Sequence, residues 1–171
     1  MNSLKRIVFI CLAAMCPAAA GCNRLTGGLA PQGADAAPGS ERIAAVDRIV
    51  DGDTIKLATG ERVRFIGVDT PELARDGRPA EPFAQQAAKC NRDLLGRGPV
   101  KLVFDRAPKD KYGRLLAYVY AGPDYKTFVN RELVSRGCAE TLFIPPNMKH
   151  AREFRGLEKQ ARTQGLGLWK Q

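Results

Sequence analysis

Three short segments of this chain hold residue types that could do chemistry. Asp51-Gly52-Asp53-Thr54 puts two carboxylates at what reads as a turn between strands. Arg64-Phe65-Ile66-Gly67-Val68-Asp69-Thr70-Pro71-Glu72 carries a guanidinium and two further acids, and Asp110-Lys111-Tyr112-Gly113-Arg114 lies in a polar loop. Carboxylates can hold a hard cation or move a proton, and guanidinium groups can clamp an oxyanion. Taken alone, each segment also has a plain structural reading: an acidic hairpin turn, a polar strand end, a solvated basic loop. Pro71 keeps Thr70 extended and ends its strand, so Asp69 and Glu72 sit at a fixed strand exit. His150 is the single histidine and there is no C-x-x-C or Cys/His cluster, which argues against a zinc site.

The residues around these segments follow strand and helix periods. Residues 43–50 read as a strand stopped by the Asp51-Gly52 turn. Residues 54–57 begin a second strand, Thr59-Gly60 turns the chain, and residues 62–68 make a third, with Val63 and Phe65 on one side and Arg64, Ile66 and Val68 on the other. A Gly- and Pro-containing loop, residues 74–79, precedes a helix over residues 82–95, with Pro82 in the first turn where its missing N–H is tolerated. Residues 100–104 and 115–120 read as strands joined by a long polar loop. Residues 127–136 read as a helix closed by Gly137 in the left-handed position. Asn147 can cap a last helix with Met148, Ala151, Phe154, Leu157 and Ala161 on one face, ending near Gly165. No internal repeat is found. Three strands, a helix, two strands and two helices predict an α+β, β-rich fold: a five-stranded antiparallel barrel of OB type with three helices packed outside.

Composition sets the surroundings of this domain. The chain has 171 residues, 44% apolar and 26% charged, enough for one packed domain plus a processed end. Its net charge is +9; Lys5 and Arg6 account for two of these charges, leaving +7 beyond residue 21. Such a charge favours capture of polyanions, and it also suits plain solubility. Residues 1–21 read as a signal peptide, with a basic start and an apolar stretch of 14 residues, Ile7 to Ala20, too short to span a bilayer comfortably. Ala18-x-Ala20 fits an ordinary cleavage site. Ala19-Ala20-Gly21-Cys22 resembles a bacterial lipobox, with Ala19 where Leu is usual, and would make Cys22 a lipidated N-terminus. The lipoprotein reading is preferred because residues 22–41, rich in Gly, Pro and Ala, read as a flexible tether. Either way the domain, residues 42–171, is expected to be exported: an envelope lipoprotein on the periplasmic or outer-membrane side, or a secreted protein. In that space Cys90 and Cys138 form an even pair that could bridge or stay as two buried thiols.

Together and in this order, the three segments resemble the staphylococcal nuclease (thermonuclease) family, and the resemblance runs from about Arg42 to Trp169, including the Gly165-Leu166-Gly167-Leu168-Trp169 ending. The resemblance implies that Asp53 and Asp69, with the Thr70 carbonyl, are calcium ligands, with water and a substrate oxygen completing a hard-oxygen shell. There is no EF-hand loop, so the ligands would have to converge from two strands. It implies Glu72 as general base and Arg64 and Arg114 as phosphate clamps, with Lys111 and Tyr112 touching a neighbouring phosphate. Where the family has two tyrosines near the nucleotide, the aligned residues are read as Phe143, which could stack on a base, and Pro145, which cannot. The implied activity is calcium-dependent, endonucleolytic cleavage of DNA or RNA by a monomer, leaving 3′-phosphate ends. Two other readings fit parts of the sequence: a non-catalytic OB-type nucleic-acid-binding module tethered to the envelope, and a surface scaffold that uses the tether.

Overall fold

A computed structural model describes residues 36–170. The stretch read as signal peptide, the candidate lipidation site Cys22 and most of the tether lie outside these residues. The alternating β-branched and apolar runs form β1 (Glu41–Ala44), β2 (Val46–Ile49), β3 (Thr54–Leu57) and β4 (Arg62–Phe65), followed by helix α1 (Ala84–Leu95). Then come β5 (Val100–Val103), β6 (Leu115–Ala121), β7 (Thr127–Phe128), α2 (Val129–Ser135) and α3 (Ala151–Thr163).

The single strand expected over residues 43–50 is two strands, β1 and β2, broken at Ala45. The seven-stranded sheet runs β1-β5-β6-β4-β3-β2, with β7 paired to β6. Its two ends, β1 and β2, are therefore neighbours in the chain, and one bent segment joins both edges into a closed barrel. Closure removes exposed edges, and it requires a strand that changes direction. An irregular register between Val46 and Arg48 helps supply the bend. The expectation of an all-antiparallel barrel is corrected at one ladder: β4 and β6 are parallel, Arg64 beside Leu116. Parallel neighbours need a crossover, and α1 with β5 forms it. Pairing with β5 also begins just before β1, where Phe104 N–H donates to the Ser40 carbonyl at 3.0 Å. The last residues assigned to the tether are thus part of the ladder.

The barrel interior takes one face of each strand. Ile55, Leu57, Val63, Phe65, Val100, Leu102, Leu115, Ala117 and Val119 are all essentially inaccessible. Burying this many branched side chains, at about 1.5–3 kcal/mol each, is the main stabilising term. α1 lays Ala84, Ala87, Ala88, Asn91, Leu94 and Leu95 against the body, the helical spacing that its sequence shows.

Several boundaries differ from the sequence reading. α1 starts after Phe83, which takes a left-handed φ of 70°, so Pro82 lies outside it. Thr127 and Phe128 pair with β6 before α2 begins. Gly137, at φ 67°, and Gly165, at φ 62°, follow α2 and α3. α3 is preceded by His150 rather than Asn147. Asn147 is buried instead, and its amide both donates to the Ala107 carbonyl and accepts from the Ala107 N–H, each at 2.8 Å. That side chain pairs with a loop backbone as a strand would. Cys90 on α1 and Cys138 after α2 are joined by a disulfide, with Cα atoms 6.5 Å apart.

Candidate active site

The β2–β3 turn is built around its own acids. Val50 N–H and Asp51 N–H both donate to the Thr54 carbonyl, and the Asp51 carboxylate accepts the Asp53 N–H at 3.0 Å. Gly52 is needed here for space: a Cβ would lie 2.6 Å from the Thr70 hydroxyl oxygen. Only glycine lets the strand exit at Thr70 settle on the turn. Asp53, only 4% exposed, then accepts the Thr70 N–H (2.9 Å) and the Thr70 hydroxyl (3.0 Å) on Oδ2. Its Oδ1 accepts from the Thr54 hydroxyl at 3.0 Å and faces Arg64 Nε at 3.2 Å.

Register explains why Arg64 reaches this carboxylate. In the β3–β4 ladder Arg64 stands opposite Thr54, one residue from Asp53, on the face turned out of the barrel. Its guanidinium also pairs with Asp69 Oδ1 at 2.6 Å through Nη2 and donates to the Phe65 and Val68 carbonyls through Nη1. Asp69 is held in place by its backbone, which exchanges two hydrogen bonds with Glu140, at 3.0 and 2.8 Å. Two aspartates from separate turns thus meet on one guanidinium.

Burial pushes the Asp53 carboxyl up to about 7, against the pull of Arg64, and the neighbouring Asp51 adds to the rise. A buried carboxylate beside a second acid calls for more positive charge than one shared arginine supplies. Among the described residues no three His, Cys, Asp or Glu side chains are gathered into one metal-binding cluster. Asp53, Asp69 and the Thr70 carbonyl nonetheless make a hard-oxygen donor set of the kind calcium takes, completed elsewhere by carbonyls and water. By donor type these residues suit a hard cation.

Arg114 is prepared by its own loop. Asp110 accepts the backbone N–H groups of Tyr112 and Arg114 on Oδ1, each at 2.9 Å, and the Arg114 Nε on Oδ2 at 2.7 Å. Burial opposes ionisation of Asp110, but the Arg114 guanidinium and these N–H groups hold its carboxyl below the usual carboxylate range. The terminal nitrogens of Arg114 have no hydrogen-bond partner among the described residues. Arg64 and Arg114 line the same cleft, about 510 Å³ in volume, together with Lys109, Lys111 and Tyr112. Tyr112 is 72% exposed, with the Lys111 ammonium 5.0 Å from its ring centroid.

One candidate residue is placed differently from the sequence reading. Phe143 does not face the cleft. Its ring packs on Gly67, where a Cβ would come within 2.5 Å of it, and lies 5.6 Å from the Phe154 ring. Leu142, Ile144 and Pro145 line the opposite wall of the cleft instead. The segment is extended, so residues 142 and 144 share a side and 143 faces the core. That alternation was the available signal. Glu72 lies on an exposed loop, 3.4 Å from Arg75 Nη2, which also approaches Asp51 at 3.5 Å. The loop is closed by Glu81, whose carboxylate accepts the Glu72 N–H and whose own N–H donates to the Glu72 carbonyl.

The sequence reading assigned no role to Asp51 as a brace, to Asp110 as the anchor of Arg114, or to Asn130. Asn130 is fully buried on α2, where it accepts the Val119 N–H at 2.8 Å and donates to the Ile66 carbonyl at 2.9 Å. It ties β6 to the exit of β4. A lone Asn on an otherwise apolar helix face was its only trace.

A closed small barrel with an acid–guanidinium cluster at the rim of a basic cleft defines an oxyanion-handling protein. Residues 62–171 match the family model described as staphylococcal nuclease homologue. The thermonuclease of Staphylococcus intermedius is 41% identical over 127 residues, 72% of this chain and 74% of that protein. Endonuclease YncB of Bacillus subtilis is 39% identical over 129 residues, 72% of this chain and 60% of that protein. The thermonuclease of Staphylococcus hyicus is 35% identical over 133 residues, 76% and 77% of the two chains. The chain belongs to the staphylococcal nuclease homologue family. The family-model match begins at Arg62, so the Asp51–Asp53 turn precedes it and is tied to it by the contacts described above.

Proposed function

We propose that this protein is an exported, calcium-dependent nuclease that hydrolyses phosphodiester bonds within DNA or RNA chains. One observation carries the reading: Asp53 and Asp69 converge on Arg64 at the rim of the cleft into which Arg114 opens. Asp53, Asp69 and the Thr70 carbonyl would hold Ca²⁺, which when bound supplies a Lewis acid and a template for the phosphate. Glu72 takes the proton of the attacking water. The water oxygen forms its bond to phosphorus as the bond to the 5′-oxygen breaks, and that oxygen leaves with a proton from solvent. A 3′-phosphate end remains. Arg64 and Arg114 stabilise the charge that gathers on the phosphoryl oxygens during this step, and the guanidinium fork suits the task better than an ammonium. Lys109, Lys111 and Tyr112 hold the neighbouring backbone, while the aliphatic wall of Leu142 and Ile144 accepts a base without reading its edge.

The similarity to proteins named thermonuclease and endonuclease supports the nuclease part of this reading. Export rests on the sequence of residues 1–22, with Cys22 lipidated and the domain a monomer tethered to a bacterial membrane. Plasmid and RNA substrates incubated with Ca²⁺, with Mg²⁺ or with chelator test the reaction. Glu72→Gln is expected to fold, bind calcium and lose most cleavage. Undiminished cutting by that variant removes Glu72 from the mechanism. Cutting that persists in chelator removes the metal, and DNA that is retained but never shortened would make the domain a binding module. The mass of the mature N-terminus decides the anchor.

A further inference from the structure

Cys90 and Cys138 are 48 residues apart and take no part in the chemistry above, yet each lies within two residues of one that holds one of the two acidic turns. Asn91, fully buried, donates from Nδ2 to the Asp51 carbonyl at 3.1 Å, and the Asp51 carboxylate in turn accepts the Asp53 N–H. On the other side Glu140, two residues beyond Cys138, exchanges both backbone hydrogen bonds with Asp69. A covalent link between α1 and the segment after α2 thus stands behind both aspartates. Without it, the two arms are held only by the Thr70–Asp53 hydrogen bonds, the shared Arg64 and packing against a face of α1 that is half alanine.

We propose that the Cys90–Cys138 disulfide positions Asp53 and Asp69, so that breaking it weakens divalent-cation binding and cleavage while the barrel stays folded. The inference rests on the reading that these aspartates hold the cation. Side chains that share an ion must keep their geometry to within about 0.5 Å, so a small relaxation of either arm is felt at the site. Reduction by a dithiol is balanced: one reagent thiolate attacks a protein sulfur and expels the other cysteine's thiolate, and the second reagent thiolate attacks the reagent sulfur of the mixed disulfide and expels the remaining protein thiolate. The reagent closes its own S–S bond, and Cys90 and Cys138 receive two electrons and two protons. In this arrangement the enzyme is at full strength only where disulfides persist.

The alternative is a cross-link that only stabilises the fold by restricting the unfolded chain. The test compares the oxidised full chain with the Cys90→Ser/Cys138→Ser double variant well below its unfolding midpoint. Calcium affinity is measured by calorimetry, amide exchange at Asp69 and Glu140 by NMR, and kcat and KM on single-stranded DNA. The expected result is calcium binding weaker by about tenfold or more, as for loss of groups that orient ligands. Faster exchange at the two amides, unchanged far-UV circular dichroism and recovery of most of kcat at saturating Ca²⁺ should accompany it. A lower unfolding midpoint with unchanged calcium affinity and exchange overturns the proposal. Should the double variant fail to fold, Asn91→Ala leaves the bridge intact and cuts one arm; unchanged calcium affinity there also overturns it. An oxidised chain that binds calcium but does not cut would sink the nuclease reading alone. If it binds no calcium, the reading of the aspartates falls, and the exchange rates decide whether the bridge braces the two turns.

Discussion

At the scale of single residues, the site is an arrangement of charges that compensate one another. Arg64 meets Asp53 through Nε, Asp69 through one Nη2 N–H and the Phe65 and Val68 carbonyls through Nη1, which leaves an Nη2 N–H for substrate. Lysine has a point charge and cannot span those partners. Arg64→Lys and Arg114→Lys are each expected to lower kcat on the order of 10²–10³-fold, the usual loss for a donor aimed at developing charge. Single-turnover cleavage with calcium saturating is the measurement, and a loss confined to KM would mean that the arginine only binds substrate. Asp110→Asn should act on the same step more mildly, since it releases the Arg114 Nε while leaving the arginine present.

At the scale of elements, the exit of β4 is where the fold delivers chemistry. Gly67, at φ 81°, turns the chain there and lets the Phe143 ring seat against its backbone. Gly67→Ala meets both a left-handed φ and that ring, so a loss of about 2 kcal/mol or more is expected from denaturant unfolding. The extended segment across the cleft divides its labour by alternation. Phe143→Ala is expected to destabilise by about 2–4 kcal/mol through the cavity it leaves. Ile144, 69% exposed, is expected to change KM a few-fold and stability by less than about 0.5 kcal/mol when cut to Ala. Equal stability losses for the two would contradict the assignment of Phe143 to the core and Ile144 to the cleft.

For the whole molecule, the acid limb of stability follows from three carboxylates held by arginine and hydroxyl partners. Glu61, Asp110 and Glu158 all sit below their ordinary values. Partial burial opposes this in each case. It is outweighed by Arg42 and Thr59 at Glu61, by Arg114 at Asp110, and by Thr141 and Arg162 at Glu158. Because the unfolded chain binds the proton more readily, their contribution is whole above the ordinary values of 3.8 for Asp and 4.5 for Glu. It is lost as pH falls through the lowered folded-state values. Thermal midpoints should therefore drop steadily below about pH 4, whereas Asp53, raised to about 7 by burial, works in the opposite sense and costs stability as pH rises from its ordinary 3.8 through about 7. All three groups are partly exposed, so salt should blunt the effect. A midpoint that keeps rising as pH falls below about 4 would show that these pairs do not act as described.

Local patterns in the sequence already carried the acids, the arginines, the strand and helix runs and the glycines that close α2 and α3, because turn chemistry and hydrophobic period act over a few residues. They could not show that residues 43–50 break at Ala45, that β4 and β6 run parallel, or that Asn147 pairs with a loop rather than capping α3. Those outcomes depend on closing a barrel, which sets partners far apart in the chain. The local β3–β4 hairpin sets Thr54 opposite Arg64, whereas only the tertiary fold brings Thr70 onto Gly52. The first meeting follows from a short turn that local residues mark; the second is a contact between separate turns that nothing in the local pattern marks.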